Sequence, residues 1–169
     1  MNEISRFFTL DEAMKTEQRQ WIEPNRLWAE KYMPHVLRHA RETMDHIRDI
    51  LGVAVHVNSW VRCPGLNAAV GGSATSDHTL GIIDGNPDFE RVGATDFTAP
   101  AFGSPYDVAQ ALHSAMMGGK LQIRQLIYEH TWVHASSPRL FRGLQEQPLN
   151  QVLTLRRGGG YVPGTVREA

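Results

Sequence analysis

The clearest periodicity in the chain lies between Pro34 and Leu51. Val36, Leu37, Ala40, Met44, Ile47 and Leu51 recur at three- and four-residue steps, which predicts a helix with one buried stripe. Pro34 suits its first turn and Gly52 its end. Upstream, Thr9 is placed to cap a helix over Leu10–Gln20, and Pro24 breaks the pattern before a shorter piece at Arg26–Tyr32. The alternating valines of 53–57 predict a strand that runs on to Trp60. Residues 64–81 are rich in Gly, Ser and Ala around a short helix at Pro64–Val70, and 82–93, punctuated by Gly-Asn-Pro, have the pattern of a surface loop. A short strand follows at Ala94–Thr98, then a helix at Tyr106–Met117 stopped by Gly118-Gly119. Two strands, Gln125–Glu129 and Trp132–Ser136, meet at His130-Thr131. After a last alternation at Val152–Leu155, Arg156-Arg157-Gly158-Gly159-Gly160 has the composition of a frayed end. The expected architecture is one α+β domain over 1–155, with N-terminal helices packed on a small, mainly antiparallel sheet, and a flexible tail over 156–169.

Composition narrows the function. Seventeen Lys and Arg stand against 18 Asp and Glu, a net charge of -1. That balance argues against nucleic acid as a partner, because phosphate binding needs a basic face. No apolar run is long enough to cross a bilayer, and the start MNEISRFFTLDEAM lacks the basic-then-apolar order of a signal peptide. A monomer made in the cytoplasm, with no membrane partner, is the expectation. The single cysteine, Cys63, rules out an internal disulfide and a multi-cysteine zinc site. Eight histidines are many for 169 residues, so the open question is whether some of them bind metal.

A hydrolytic zinc site takes about three protein ligands from His and Asp/Glu, with a position left for water. Two groups could supply them. His35, His39, Glu42 and His46 share a helix face flanked by Arg38, Arg41, Asp45 and Asp49, the pattern of a solvated polar face. His78, Asp96 and His134 lie in a small-residue loop and two apolar strands. Taken singly they are a loop histidine, a capping aspartate and a hydrogen-bonded core histidine.

Taken with their surroundings, they resemble something specific. The relevant blocks are Phe8-Thr9-Leu10-Asp11-Glu12, then residues 57–67 (VNSWVRCPGLN) and 69–78 (AVGGSATSDH). Gly93-Ala94-Thr95-Asp96-Phe97 follows, and finally Leu126-Ile127-Tyr128-Glu129 with Trp132-Val133-His134. In this order, over residues 8–136, the chain resembles the zinc D-alanyl-D-alanine carboxypeptidases, peptidase family M15, which includes phage endolysins, and within it a short single-domain branch. The resemblance implies the D-alanyl-D-alanine carboxypeptidase or hedgehog-like peptidase fold, with Zn²⁺ held by His78, Asp96 and His134. It implies that Arg62 engages the substrate, as a planar guanidinium suits a peptide carboxylate or carbonyl, and Arg62 is expected to act in catalysis by helping to stabilise the developing oxyanion. Ser76 falls on a small hydroxyl position beside the first ligand, a contact to substrate or to that ligand's surroundings.

Three departures from that pattern matter. Asp96 stands eighteen positions after His78, where the family usually has seven; the extra residues are Ile82 to Val92, and they bring two rival carboxylates, Asp84 and Asp88. The strand context favours Asp96. Several branches carry an acid three residues before the last histidine, where this chain has Thr131; the nearby acid is Glu129. On one continuous strand Glu129 and His134 would face opposite sides. If His130-Thr131 is a two-residue hairpin turn, Glu129 pairs with Trp132 and shares a face with His134, where it could act as general base; otherwise it is a solvated turn acid. Cys63 replaces a frequent Ser and suits a small buried position. His56 and His113 suit a partly exposed strand position and helix packing, and Trp60 and Trp132 either line a substrate groove or pack. The expected function is a zinc peptidase acting on peptidoglycan stem peptides, made without a signal peptide and released through a holin or carried in a virion. The alternative is a non-catalytic module of the same fold.

Overall fold

In a computed structural model describing residues 2–168, the N-terminal signals produce short helices. Thr9 Oγ1 accepts from the Glu12 amide and the Glu12 carboxylate accepts from the Thr9 amide at 2.8 Å, a reciprocal cap. The helix it starts, α1 (Leu10–Met14), is shorter than expected, and a separate 3₁₀ turn forms at Arg19–Trp21. Pro24 does not break the next helix, α2 (Ile22–Lys31), because it sits in the first turn, where no amide donor is needed.

The long stripe folds as α3 (Met33–His39), a π turn over Ala40–Met44, and α4 (Asp45–Leu51), ended by Gly52 at φ 68°. Val36, Ala40, Met44, Ile47 and Leu51 face the core as read from the pattern. The polar stripe is not one solvated face, however. Glu42 and His46 are exposed, but His35 is half-buried with Nε2 2.8 Å from Glu90, and His39 is 0% exposed. His39 lies between two hydroxyls, Nδ1 2.6 Å from Ser137 Oγ and Nε2 2.8 Å from Thr95 Oγ1, and Thr43 Oγ1 extends the chain to Ser137 at 2.7 Å. Both nitrogens of this buried imidazole are therefore satisfied, and His39 and Thr43, four residues apart, share the inward side of the helix.

Six strands form the main sheet, in the order β1-β4-β6-β5-β9-β10. They are β1 (His56–Ser59), β4 (Ala94–Thr98), β5 (Gln125–Tyr128), β6 (Val133–Ser136), β9 (Gln151–Leu155) and β10 (Tyr161–Pro163). Only β5 and β9 run parallel; the other neighbours are antiparallel. One face carries Phe97, Leu126, Val133 and Ala135, which pack against α3, α4 and α6 (Pro105–Met117) to form the core. The opposite face carries Asp96, His134 and Ile127. Helix α5 (Pro64–Ala69) follows β1.

Two further expectations are corrected. Residues 82–93 are not a loop: β2 (Gly81–Ile83) and β3 (Asn86–Arg91) pair antiparallel and join β7 (Leu140–Phe141) and β8 (Leu144–Gln145) in a second, four-stranded sheet. Nor does ordered structure end at 155. Gly159 and Gly160, at φ 91° and 81°, turn the chain back so that Tyr161–Pro163 pair with Leu153–Leu155. The glycine run that suggested fraying is the turn itself, in a conformation other residues adopt with strain. Among the described residues no helix is long and apolar enough to cross a membrane.

Burial lowers the His39 pKa to about 3, from an ordinary 6.5. The unfolded chain therefore binds a proton below pH 6.5 that the folded chain refuses, and stability falls as pH drops from 6.5 toward 3. By pH 5 this single group is expected to cost roughly 2 kcal/mol. Urea unfolding of wild type and His39→Gln at pH 7 and pH 5 checks it: the variant should be weaker at pH 7 and lose less on acidification. Equal losses in both proteins would remove His39 as the source.

Candidate metal centre

The sheet and one adjoining loop build the site. Asp96 on β4 and His134 on β6 are direct cross-strand partners, so their side chains leave the same face. His78 comes from a 3₁₀ turn, Asp77–Thr79, capped by Ser76, whose Oγ accepts from the His78 amide at 3.3 Å. Leu80 (φ 54°) and Gly81 (φ 75°) then swing the chain away into β2. One ligand atom from each of His78, Asp96 and His134 lies within 4.8 Å of the others, and all three residues are buried.

Their hydrogen bonds fit a cation. His78 Nδ1 lies 2.6 Å from the Trp60 carbonyl, which can only accept, so that nitrogen carries the proton. In the neutral ring Nε2 then holds a lone pair, yet it faces Asp96 Oδ1 at 3.1 Å. Burial pushes the His78 pKa down, favouring that neutral form. Two electron pairs pointed at each other are what a shared metal ion resolves, and a carbonyl holding the outer imidazole nitrogen is a common support for a metal-binding histidine. His134 Nδ1 meets the same Oδ1 at 2.8 Å. Burial alone would lower the His134 pKa, but the Asp96 hydrogen bond and charge outweigh it and raise it. Burial would raise the Asp96 pKa, but the two imidazoles hold it well below the ordinary 3.8, so the carboxylate is ionised.

Arg62 is placed beside this group in a way the motif did not specify. Its Nη2 donates to Asp96 Oδ2 at 2.6 Å and its Nε to Ser59 Oγ at 2.8 Å. It orients the aspartate directly, and Nη1 keeps no hydrogen-bond partner among the described residues. Of the rival carboxylates, Asp84 is exposed and Asp88 pairs with Arg142; neither approaches the group. The insertion leaves the ligand geometry intact because Gly81 and Arg91 are paired across β2 and β3. Its buried Arg91 donates to the carbonyls of Ala74 at 3.1 Å and Ile82 at 2.7 Å, holding the loop that carries His78.

The β5–β6 connection is a tight hairpin turn. The Glu129 amide donates to the Trp132 carbonyl at 3.0 Å, and His130 takes φ 63°. Glu129 therefore extends the face of Ile127 and His134. Burial raises its pKa above the ordinary 4.5, and the negative charge of Asp96 adds to the shift. Trp132 is half-buried beside it. Trp60 is wholly packed, edge-on to Phe8 and His39. Cys63 is buried and His56 exposed.

An ionic cluster around Asp77 has no signature in the motif. Arg139 Nε donates to Asp77 Oδ1 at 2.8 Å, and Arg124 bridges Asp77 and Glu146, at 3.6 and 2.6 Å. It ties the His78 turn to segments more than forty residues away; only the placement of Asp77 next to His78 could have hinted at it.

A buried His-Asp-His group with an acid on the same sheet face is the arrangement of a metal-dependent hydrolase. The chain belongs to the Peptidase M15 family, whose model matches residues 9–136, a family of generally zinc-dependent metallopeptidases. No curated protein and no solved structure matches it.

A bound ion should stabilise the fold. At a zinc concentration 100 times Kd the gain is about 2.7 kcal/mol. Calorimetry with and without zinc should show a higher Tm for wild type, while His134→Ala should bind far less metal and gain little. An unshifted wild-type Tm, with no metal found by elemental analysis, would remove the site.

Proposed function

We propose that the chain is a zinc peptidase that hydrolyses peptide bonds in peptidoglycan stem peptides, as a phage or prophage endolysin that reaches the wall through a holin or in a virion. The observation that carries the peptidase chemistry is the hairpin turn at His130-Thr131, which sets Glu129 on the face of His134 and Asp96. The cell-wall substrate rests on the resemblance of the blocks around Arg62, His78, Asp96 and His134 to carboxypeptidases and endolysins that act on such peptides.

His78, Asp96 and His134 would hold the ion, which when bound supplies a Lewis acid for the scissile carbonyl and acidifies water. Glu129 takes the proton of the attacking water and delivers it to the leaving amine. Its raised pKa suits both halves of that cycle, since a stronger base accepts the proton more readily and remains a competent acid afterwards. Arg62 holds Asp96 in place and offers Nη1 to the substrate. Trp132 and the Ser76 turn flank the approach.

Purified protein on isolated peptidoglycan, followed by mass spectrometry of the released muropeptides, tests the reading and names the bond by its new termini. Glu129→Gln should keep its zinc and lose activity by on the order of 10²-fold or more. The base must be ionised, so activity should fall on acidification, and the raised pKa puts that limb above 4.5. A zinc-bound wild type that releases nothing would favour the non-catalytic module. Full activity in Glu129→Gln would remove Glu129 as the base.

A further inference from the structure

Residues paired in register across a sheet share a face. Asp96, His134, Ile127, Leu153 and Pro163 form one such row across the six-stranded sheet. Two positions further along, on the same face, Glu129 lies on the β5 side, Leu155 follows on β9 and Tyr161 on β10. Two strand spacings, roughly 10 Å, separate the Glu129 and Tyr161 backbones, with Leu155 as the floor between them. Tyr161 is 56% exposed and leaves the same face as Leu155, so its side chain is open to a ligand.

The placement is built, not incidental. Arg156 and Gly160 close the β9–β10 turn through a 2.9 Å hydrogen bond. Beyond β10, the Gly164 amide donates to the Val152 carbonyl at 2.8 Å, and Thr154 Oγ1 donates to the Gly164 carbonyl at 2.8 Å. Tyr161 lies outside the residues matched by the family model, so membership assigns it nothing.

We propose that Tyr161 is a further catalytic residue, whose phenol donates a hydrogen bond to the scissile carbonyl oxygen of the bound peptide as negative charge develops there. This rests on the peptidase reading above. Arg62 and Tyr161 then approach the substrate from the two edges of the sheet, β1 and β10. Arg62 is committed through Nε and Nη2, so an uncharged donor from the far edge adds what it lacks. The phenol keeps its proton throughout, and no bond to it forms or breaks. Burial raises its pKa above the ordinary 10, and the charges of Glu129 and Asp96 raise it further. It is therefore a donor at neutral pH, and both carboxylates act on it through space.

Two measurements on the full chain test this. With zinc loaded and isolated peptidoglycan as substrate, Tyr161→Phe should keep its metal content and lower kcat on the order of 10²-fold with KM little changed, the signature of an interaction made in the transition state. Unchanged kcat, or a raised KM alone, overturns the proposal. The second needs no substrate or metal. In a spectroscopic titration of tyrosines, the transition missing from Tyr161→Phe should move to lower pH in Glu129→Gln, because a negative neighbour has been removed. If it stays in place, the phenol is not beside Glu129 and the proposal falls, even if the wild type cleaves nothing. A zinc-bound wild type that cleaves nothing but shows the shift overturns the peptidase reading and keeps Tyr161 at the site.

Discussion

The arrangement turns on one buried carboxylate. Asp96 is 6% exposed and ionised, and a charge in that position costs several kcal/mol unless its surroundings compensate. His78 and His134 meet one oxygen and Arg62 the other. Each partner belongs to a different segment: the loop before β2, strand β6, and the chain leaving β1. Satisfying Asp96 therefore fixes three segments relative to β4. Removing Arg62 leaves Oδ2 without its donor, and removing His134 leaves Oδ1 facing only the His78 ring nitrogen, so folding and the metal-binding geometry are enforced by the same contacts.

The other face of β4 is held as tightly, by uncharged groups. Thr95, one residue before Asp96, points to the helices and meets His39, which also holds Ser137 just beyond β6 and lies edge-on to Trp60. The Trp60 carbonyl in turn holds His78. One imidazole thus touches the supports of all three candidate ligands. It serves there only when neutral, with one nitrogen donating and the other accepting, and a proton on it would also face repulsion from His78 and His134. Gly93 follows from this crowding: a Cβ there would lie 2.8 Å from the His39 ring.

The main helix, the core stripe, the strands bearing Asp96 and His134 and the grouping of these two with His78 were legible because each depends on residues close in sequence or on a motif. Glu129 was legible as a conditional, since hairpin parity decides which face it takes. His39 was not: charged neighbours such as Arg38, Arg41 and Glu42 give its stripe a polar composition, and the hydroxyls of Thr95 and Ser137 that satisfy it lie on distant segments. The contacts of Asp77 with Arg139 and Arg124 were not legible either, because pairing across such separations leaves no local pattern. The Gly158–Gly160 run was misleading in a specific way. Glycine marks both a frayed end and a tight turn, and only the partner strand, through the pairing of Leu155 with Tyr161, distinguishes them.

The insertion at 82–92 shows how a site tolerates extra chain. Its ends, Gly81 and Arg91, are hydrogen-bonded strand neighbours, so the excursion leaves and returns at nearly the same point. The distance from His78 to Asp96 in space is then independent of how long the hairpin is. Such a loop adds little closure entropy for its length, and its strands satisfy their own backbone groups by pairing with each other and with β7. The hairpin also acts back on the site. The Arg91 guanidinium joins the Ala74 carbonyl of the loop bearing His78 to the Ile82 carbonyl of β2, and His35 on α3 meets Glu90 from the other side. What began as an interruption of a compact motif has become one of the braces that hold its first histidine.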